Sequence, residues 1–152
     1  MIRLFRPEDA SACCSIIRAC LEADASYPAA LRAKISAGET AESMKQRAGL
    51  FYIAVYEEEN RILGFAGLDM NEIRLLYVAP DSQHRGIGRS LLEHIKTMVP
   101  GAVFPEIFVY STIGAAGFYG ACGFIDKGPF VFDLGGESLP TVFMTLAVRP
   151  LL

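Results

Sequence analysis

The chain has 152 residues, 52% hydrophobic and 11% aromatic, with 14 Lys and Arg against 17 Asp and Glu for a net charge of −3. That length suits a single domain, residues 1–152, and so much apolar material offsets chain entropy well enough to exclude wholesale disorder. The mildly acidic balance lacks the basic footprint of a polyanion binder, which argues against nucleic acid as the main ligand.

The opening segment places Arg3, Arg6, Glu8 and Asp9 where a secretory signal needs an unbroken apolar stretch, so nothing in it directs export. Ile2–Arg6 alternates apolar and basic residues like a short edge strand, and Pro7-Glu8-Asp9 supplies helix-start chemistry. In the helix that follows, Cys13, Ile16, Ile17, Cys20 and Leu21 recur at helical spacing and bury one stripe. Two more helices are predicted, from Pro28 to about Ala37 and from Thr40 to about Ala48, ended by Gly38 and Gly49. The longest apolar run, Ala48–Tyr56, is far below the ~20 residues of a membrane-spanning helix and reads as a buried strand; no membrane partner is expected. Cys13, Cys14, Cys20 and Cys122 form no CxxC pair, and reduced thiols in a cytoplasmic protein are the expectation.

Phe51–Tyr56 and Ile62–Leu68 are strand-forming around the polar Glu57–Asn60, which predicts a hairpin. Ile73–Val78 is nearly continuous in apolar character, as suits a central strand covered on both faces. Leu91, Leu92, Ile95, Met98 and Val99 trace a helix stripe stopped by Pro100-Gly101, and Ile107–Tyr110 is the next strand. Strand, helix and strand in succession imply parallel pairing through a right-handed crossover. A short helix, Ile113–Cys122, leads to a final pair, Phe124–Leu134 and Thr141–Val148, joined through Gly135-Gly136 and Pro140. The expected class is α+β, a mixed and mostly antiparallel sheet of about seven strands flanked by helices.

Gln83-His84-Arg85-Gly86-Ile87-Gly88 falls between the central strand and the helix after it. Two glycines let the chain bend around a ligand and aim N–H groups at one point, to which the helix adds its positive end. The product is an anion cradle, with Arg85 and Arg89 as further charge for phosphate oxygens. It is not a P-loop, since no Gly-Lys-Ser/Thr follows, nor a dinucleotide fingerprint, since Leu91 stands where the third glycine belongs.

Leu76 to Leu92 resembles the signature of the GCN5-related N-acetyltransferase (GNAT) superfamily: a strand, the loop Gln/Arg-x-x-Gly-x-Gly/Ala, and a helix. A second motif, Ala115-x-x-Phe118-Tyr119-x-x-x-Gly123-Phe124, stands where that family has it, and the order of elements agrees from Ile2 to Val148. The resemblance implies the acyl-CoA N-acyltransferase fold and acetyl-CoA as cofactor. Its arm would pair with the backbone of Leu76, Tyr77 and Val78, and amides from Gln83, His84, Arg85, Gly86, Ile87, Gly88, Arg89 and Ser90 would hold its phosphates. Thr112 stands where many relatives have Asn, and is a further cofactor contact and a helix N-cap.

Tyr119 holds the place of the family's tyrosine that protonates the departing thiolate; a phenol with an ordinary pKa near ~10 is protonated at neutral pH and can donate. The bland alternative is a packing aromatic. The amine acceptor arrives protonated and needs a base or a water chain, and Glu72, eleven residues before Gln83, is the candidate, since the histone-acetylating branch keeps a glutamate there. Strand alternation puts Glu72 on one face with Arg74, Leu76 and Val78, and Arg74 would favour its ionised form; a solvated, ion-paired carboxylate is the alternative. Cys122 has no partnered His and reads as core, His94 falls on a polar helix face, and two histidines without ligand spacing give no metal site. The reading is an acetyl-CoA-dependent N-acetyltransferase acting by direct transfer on a small-molecule or peptide amine. Its rivals are acetylation of protein N-termini or lysines, and a non-catalytic acyl-CoA-binding module. Residues 130–148 could pair across a homodimer.

Overall fold

The computed structural model describes residues 1–148 and contains one sheet of seven strands. In chain order the elements are β1 (Ile2–Leu4), α1 (Ala10–Ala23), α2 (Ala29–Gly38), α3 (Ala41–Ala48), β2 (Tyr52–Glu58), β3 (Arg61–Asp69), β4 (Glu72–Val78), α4 (Ile87–Lys96), β5 (Glu106–Thr112), α5 (Ala116–Ala121), β6 (Ile125–Leu134) and β7 (Glu137–Ala147). The strands lie side by side as β1-β2-β3-β4-β5-β7-β6, so β4 is central, and every neighbouring pair is antiparallel except β4–β5. The mixed α+β sheet is as expected from the sequence.

Each face has its own core. On one face Leu91, Leu92 and Ile95 of α4 pack with Ile107, Val109 and Met144. On the other, Cys13 and Ile17 of α1 and Met44 of α3 pack on Val55, Phe65 and Leu75. Local chemistry sets the helix starts: Thr40 Oγ1 accepts from Ser43 N–H at 3.1 Å and Ser43 Oγ from Thr40 N–H at 3.1 Å, satisfying two orphan donors at once.

Several expectations are corrected. The run Ala48–Tyr56 is not one strand, because the Gly49 and Phe51 N–H groups still bond back to carbonyls of α3; β2 begins only at Tyr52, and Leu50 is exposed. The α4 stripe ends early: Thr97 Oγ1 donates to the His94 carbonyl at 2.6 Å, the helix stops at Lys96, and Met98 faces water. The segment 113–122 is a 3₁₀ turn, Ile113–Ala115, followed by the short α5. Pro140 lies inside β7 rather than in the connection, which is the two-residue turn Gly135-Gly136 with φ of 57° and 96°. A proline is tolerated there because β5 ends at Thr112, level with Thr141, so no ladder donor is lost on that side.

Candidate active site

The parallel pairing of β4 and β5 consists of only two steps, Glu72 with Phe108 and Ile73 with Val109. Beyond them the strands diverge and open a slot of about 70 Å³ whose lining includes Leu76, Tyr77, Ser111, Thr112 and Tyr119. The carbonyl of Val78, at the end of β4, receives side-chain donors: Gln83 Nε2 at 3.0 Å and the Cys20 thiol at 3.2 Å. Burial pushes that thiol up to about 11, so it stays protonated and donates.

From Val78 the chain turns through Pro80–Ser82 into the glycine loop. His84 and Gly86 both take left-handed backbone, φ 63° and 83°, and no side chain caps the N-terminus of α4. Left-handed residues ahead of a helix gather free N–H groups into a concavity suited to anions. A Cβ on Gly86 would meet nothing within 4 Å, so it is the left-handed φ rather than crowding that calls for glycine here. Gly88 serves packing instead, for a Cβ there would stand 3.3 Å from the Phe118 ring. Gln83, His84, Arg85, Arg89 and Ser90 are exposed, and Ile87 is buried beneath the loop. Arg85 is drawn to Glu58 at 2.9 Å, and Arg89 reaches the Ala121 carbonyl at 3.4 Å.

Tyr119 enters the slot from α5, is buried at 4% exposure, and is flanked edge-on by Phe118 and Phe124 at 5.3 and 5.2 Å. Its hydroxyl has no hydrogen-bond partner among the described residues, and the residue is one of those lining the slot. Burial holds its ionisation far above the ordinary phenol range. Thr112 also lines the slot and sits at the N-cap of the 3₁₀ turn, but its side chain makes no capping bond, contrary to the N-cap expectation.

Glu72 stands at the closed end, beside the slot rather than in its lining. Register shifts at Arg74, because Gly67 pairs with Leu75 while Leu68 pairs with Ile73. This bulge reverses the alternation and corrects the sequence reading: Glu72 shares a face with Leu75 and Tyr77, not with Leu76 and Val78. Arg74 Nε is 3.1 Å from its carboxylate and Asp69 is 3.2 Å from the same guanidinium. Burial raises the Glu72 pKa against the opposing pull of Arg74.

Residues that sequence reasoning passed over also belong here. Tyr27 donates to the Pro140 carbonyl at 2.7 Å and accepts from Ile113 N–H at 3.1 Å, fastening the α1–α2 connection to the slot's rim. Cys20, read as core, reaches Val78. His94 is not solvated surface but bonds to the Tyr52 hydroxyl at 2.7 Å. Among the described residues no three His, Cys, Asp or Glu side chains converge to hold a metal.

An acetyltransferase (GNAT) domain family model matches residues 21–140. Among solved structures, a GCN5-related N-acetyltransferase from Rhodopseudomonas palustris shares 24% identity over 97% of this chain and 94% of that one, at a TM-score of 0.88. YjaB from Escherichia coli, in its apo form, shares 25% over 99% and 98%, at 0.73. The PaiA N-acetyltransferase of Thermoplasma acidophilum, solved with coenzyme A, shares 18% over 97% and 98%, at 0.72.

Proposed function

The chain belongs to the GNAT acetyltransferase family, whose members are acyltransferases, and we propose on that footing that it moves an acetyl group from acetyl-CoA directly to a primary amine. The observation that carries this is the slot between β4 and β5, lined by Tyr119, with the left-handed bend at Gly86 in the loop that follows β4. Acetyl-CoA supplies the activated thioester carbonyl and the leaving sulfur. Gly86 and the uncapped first turn of α4, from Ile87 to Arg89, hold its diphosphate, with Gln83, His84, Arg85 and the Arg89 side chain at the rim; the Ser90 amide, expected from the sequence to join them, is instead committed to the Gly86 carbonyl at 3.0 Å. Leu76, Tyr77 and Val78 offer main chain to its arm, Gln83 leaving the Val78 carbonyl as the arm arrives, and Thr112 contacts it from β5.

The amine nitrogen forms the new bond to the carbonyl carbon as the C–S bond breaks. The ammonium first gives one proton to Glu72, directly or through water, so that the free amine can attack; Tyr119 then gives its proton to the departing sulfur, and the second proton lost by the nitrogen restores the Tyr119 hydroxyl through water. Burial pushes Cys13 up to about 12 and Cys20 up to about 11, so both thiols stay protonated, which supports direct transfer over an acyl-cysteine intermediate. The free thiols suit a reducing compartment such as the cytoplasm.

Calorimetric titration with CoA tests the premise, and absence of binding at millimolar concentration removes it. The Tyr119→Phe variant should bind CoA as the parent does and lose about 10²-fold in kcat, the usual worth of a positioned acid. Unchanged turnover would exclude the acid role. Release of CoA thiol only in the presence of an amine separates the enzyme from a binding module.

A further inference from the structure

Tyr110 belongs to two surfaces. It lines the slot, and its ring stands on the face of the sheet opposite Tyr119, since its neighbour Val109 points into the α4-side core. There it meets Phe130, Phe132 and Phe143 at ring separations of 5.0, 5.1 and 5.1 Å, with Phe108 beyond Phe143 at 5.8 Å. These five rings, from three adjacent strands, join neither core and remain half-exposed, Phe130 at 44%. Aromatic area left to water on this scale marks a binding surface.

The floor has defined ends. At one, the α1–α2 connection is pinned by Tyr27, and Lys34 donates to the Gly135 carbonyl at 2.7 Å. At the other lies Glu72, level with Phe108 across the β4–β5 pairing and on the same face. At the Glu72 end two carboxylates, Asp69 and Glu72, face one guanidinium, Arg74, which leaves a negative excess there.

We propose that the acceptor is a small-molecule primary amine carrying an aromatic body, which lies on the Tyr110–Phe130–Phe132–Phe143 floor with its ammonium between the ring faces and Glu72, beside the slot. Ring faces attract an ammonium, the carboxylate complements it, and the floor continues into the slot through Tyr110. Polycationic amines would leave the rings uncovered and most of their charges unmatched. This inference rests on the acetyltransferase reading, but its test does not.

Calorimetry of the full chain, with CoA present and with CoA omitted, compares 2-phenylethylamine, n-butylamine and putrescine. Phenylethylamine is expected to bind about tenfold tighter than n-butylamine, with putrescine weakest, and kcat/KM for acetyl transfer to follow that order. Phe130→Ala should cut the phenylethylamine-to-butylamine ratio about tenfold, CoA affinity serving as the control for folding; the milder Phe132→Leu should cut it less and tests the same point if the first variant misfolds. The peptide Phe-Ala-Ala tests the source: weaker binding than phenylethylamine supports the proposal, and tighter binding overturns it in favour of a polypeptide N-terminus. Equal affinities, or a preference for putrescine, overturn it. So does a dimer in light scattering that Phe130→Glu converts to monomer with the ratio unaltered, since a second copy then covers the floor. Loss of CoA binding or of acetyl transfer overturns the enzymatic reading instead, while the order of amine affinities decides this one by itself.

Discussion

Glu72 is held by opposing influences: burial disfavours its charge, Arg74 favours it, and burial prevails. A base works only when ionised, so a pKa raised above its ordinary 4.5 means activity is lost as pH falls through that higher value. With Glu72 as base, kcat should show this acidic limb, Glu72→Gln should remove it along with about 10²-fold of rate, and Arg74→Gln should move it to higher pH. A limb unmoved in all three proteins assigns deprotonation to water. Tyr119 was legible in the sequence because the Phe-Tyr-x-x-x-Gly-Phe spacing is local, whereas the solitude of its hydroxyl depends on which distant groups fail to reach it. The face of Glu72 was not legible. One bulged residue reverses a strand, and in a run as apolar as Ile73–Val78 no alternation betrays the extra step.

At the scale of elements, two glycines in neighbouring segments do different work. Gly86 owes its place to backbone conformation, at φ 83° with open space beyond it. Gly64 on β3 owes its place to proximity, since a Cβ there would stand 2.8 Å from the Tyr77 carbonyl, beside the end of β4 that borders the slot. Gly86→Ala should cost about 1 kcal/mol in urea unfolding and weaken CoA binding. Gly64→Ala should cost about 2 kcal/mol by forcing β3 from β4, and a stable Gly64→Ala protein would contradict the close approach. The strand–loop–helix from Glu72 to Lys96 was readable because its apolar periods and glycines are contiguous. The early end of α4 and the start of β2 were not, since a side-chain bond from Thr97 and backbone bonds from Gly49 and Phe51 settle them.

Over the whole molecule, the edge strand β1 is tied in by one buried cluster. Arg3 donates to Asp9 at 2.8 Å and to Glu57 on β2 at 3.0 Å, and Asp9 also accepts from Arg6 N–H at 2.8 Å. Burial alone would raise the Asp9 pKa, yet these bonds hold it below its ordinary 3.8. A depressed carboxylate contributes stability that is complete above the unfolded value and is lost as pH falls through the folded one. Asp9→Asn should therefore cost about 2 kcal/mol at pH 7, with the gap to the parent narrowing below pH ~3.8; a gap independent of pH would assign Asp9 a packing role. Seven strands, their approximate bounds, the central place of β4 and the glycine bend ahead of α4 follow from residues adjacent in the chain, because periodicity, turn chemistry and glycine conformation act over a few positions. The divergence of β4 from β5, the faces of Glu72 and Tyr119, the Tyr27 clasp and the ring floor were decided only by tertiary structure. The divergence and the ring floor depend on strands far apart in sequence, the Tyr27 clasp on a side chain 86 and 113 residues from its partners, and the face of Glu72 on a bulge that one step of register creates.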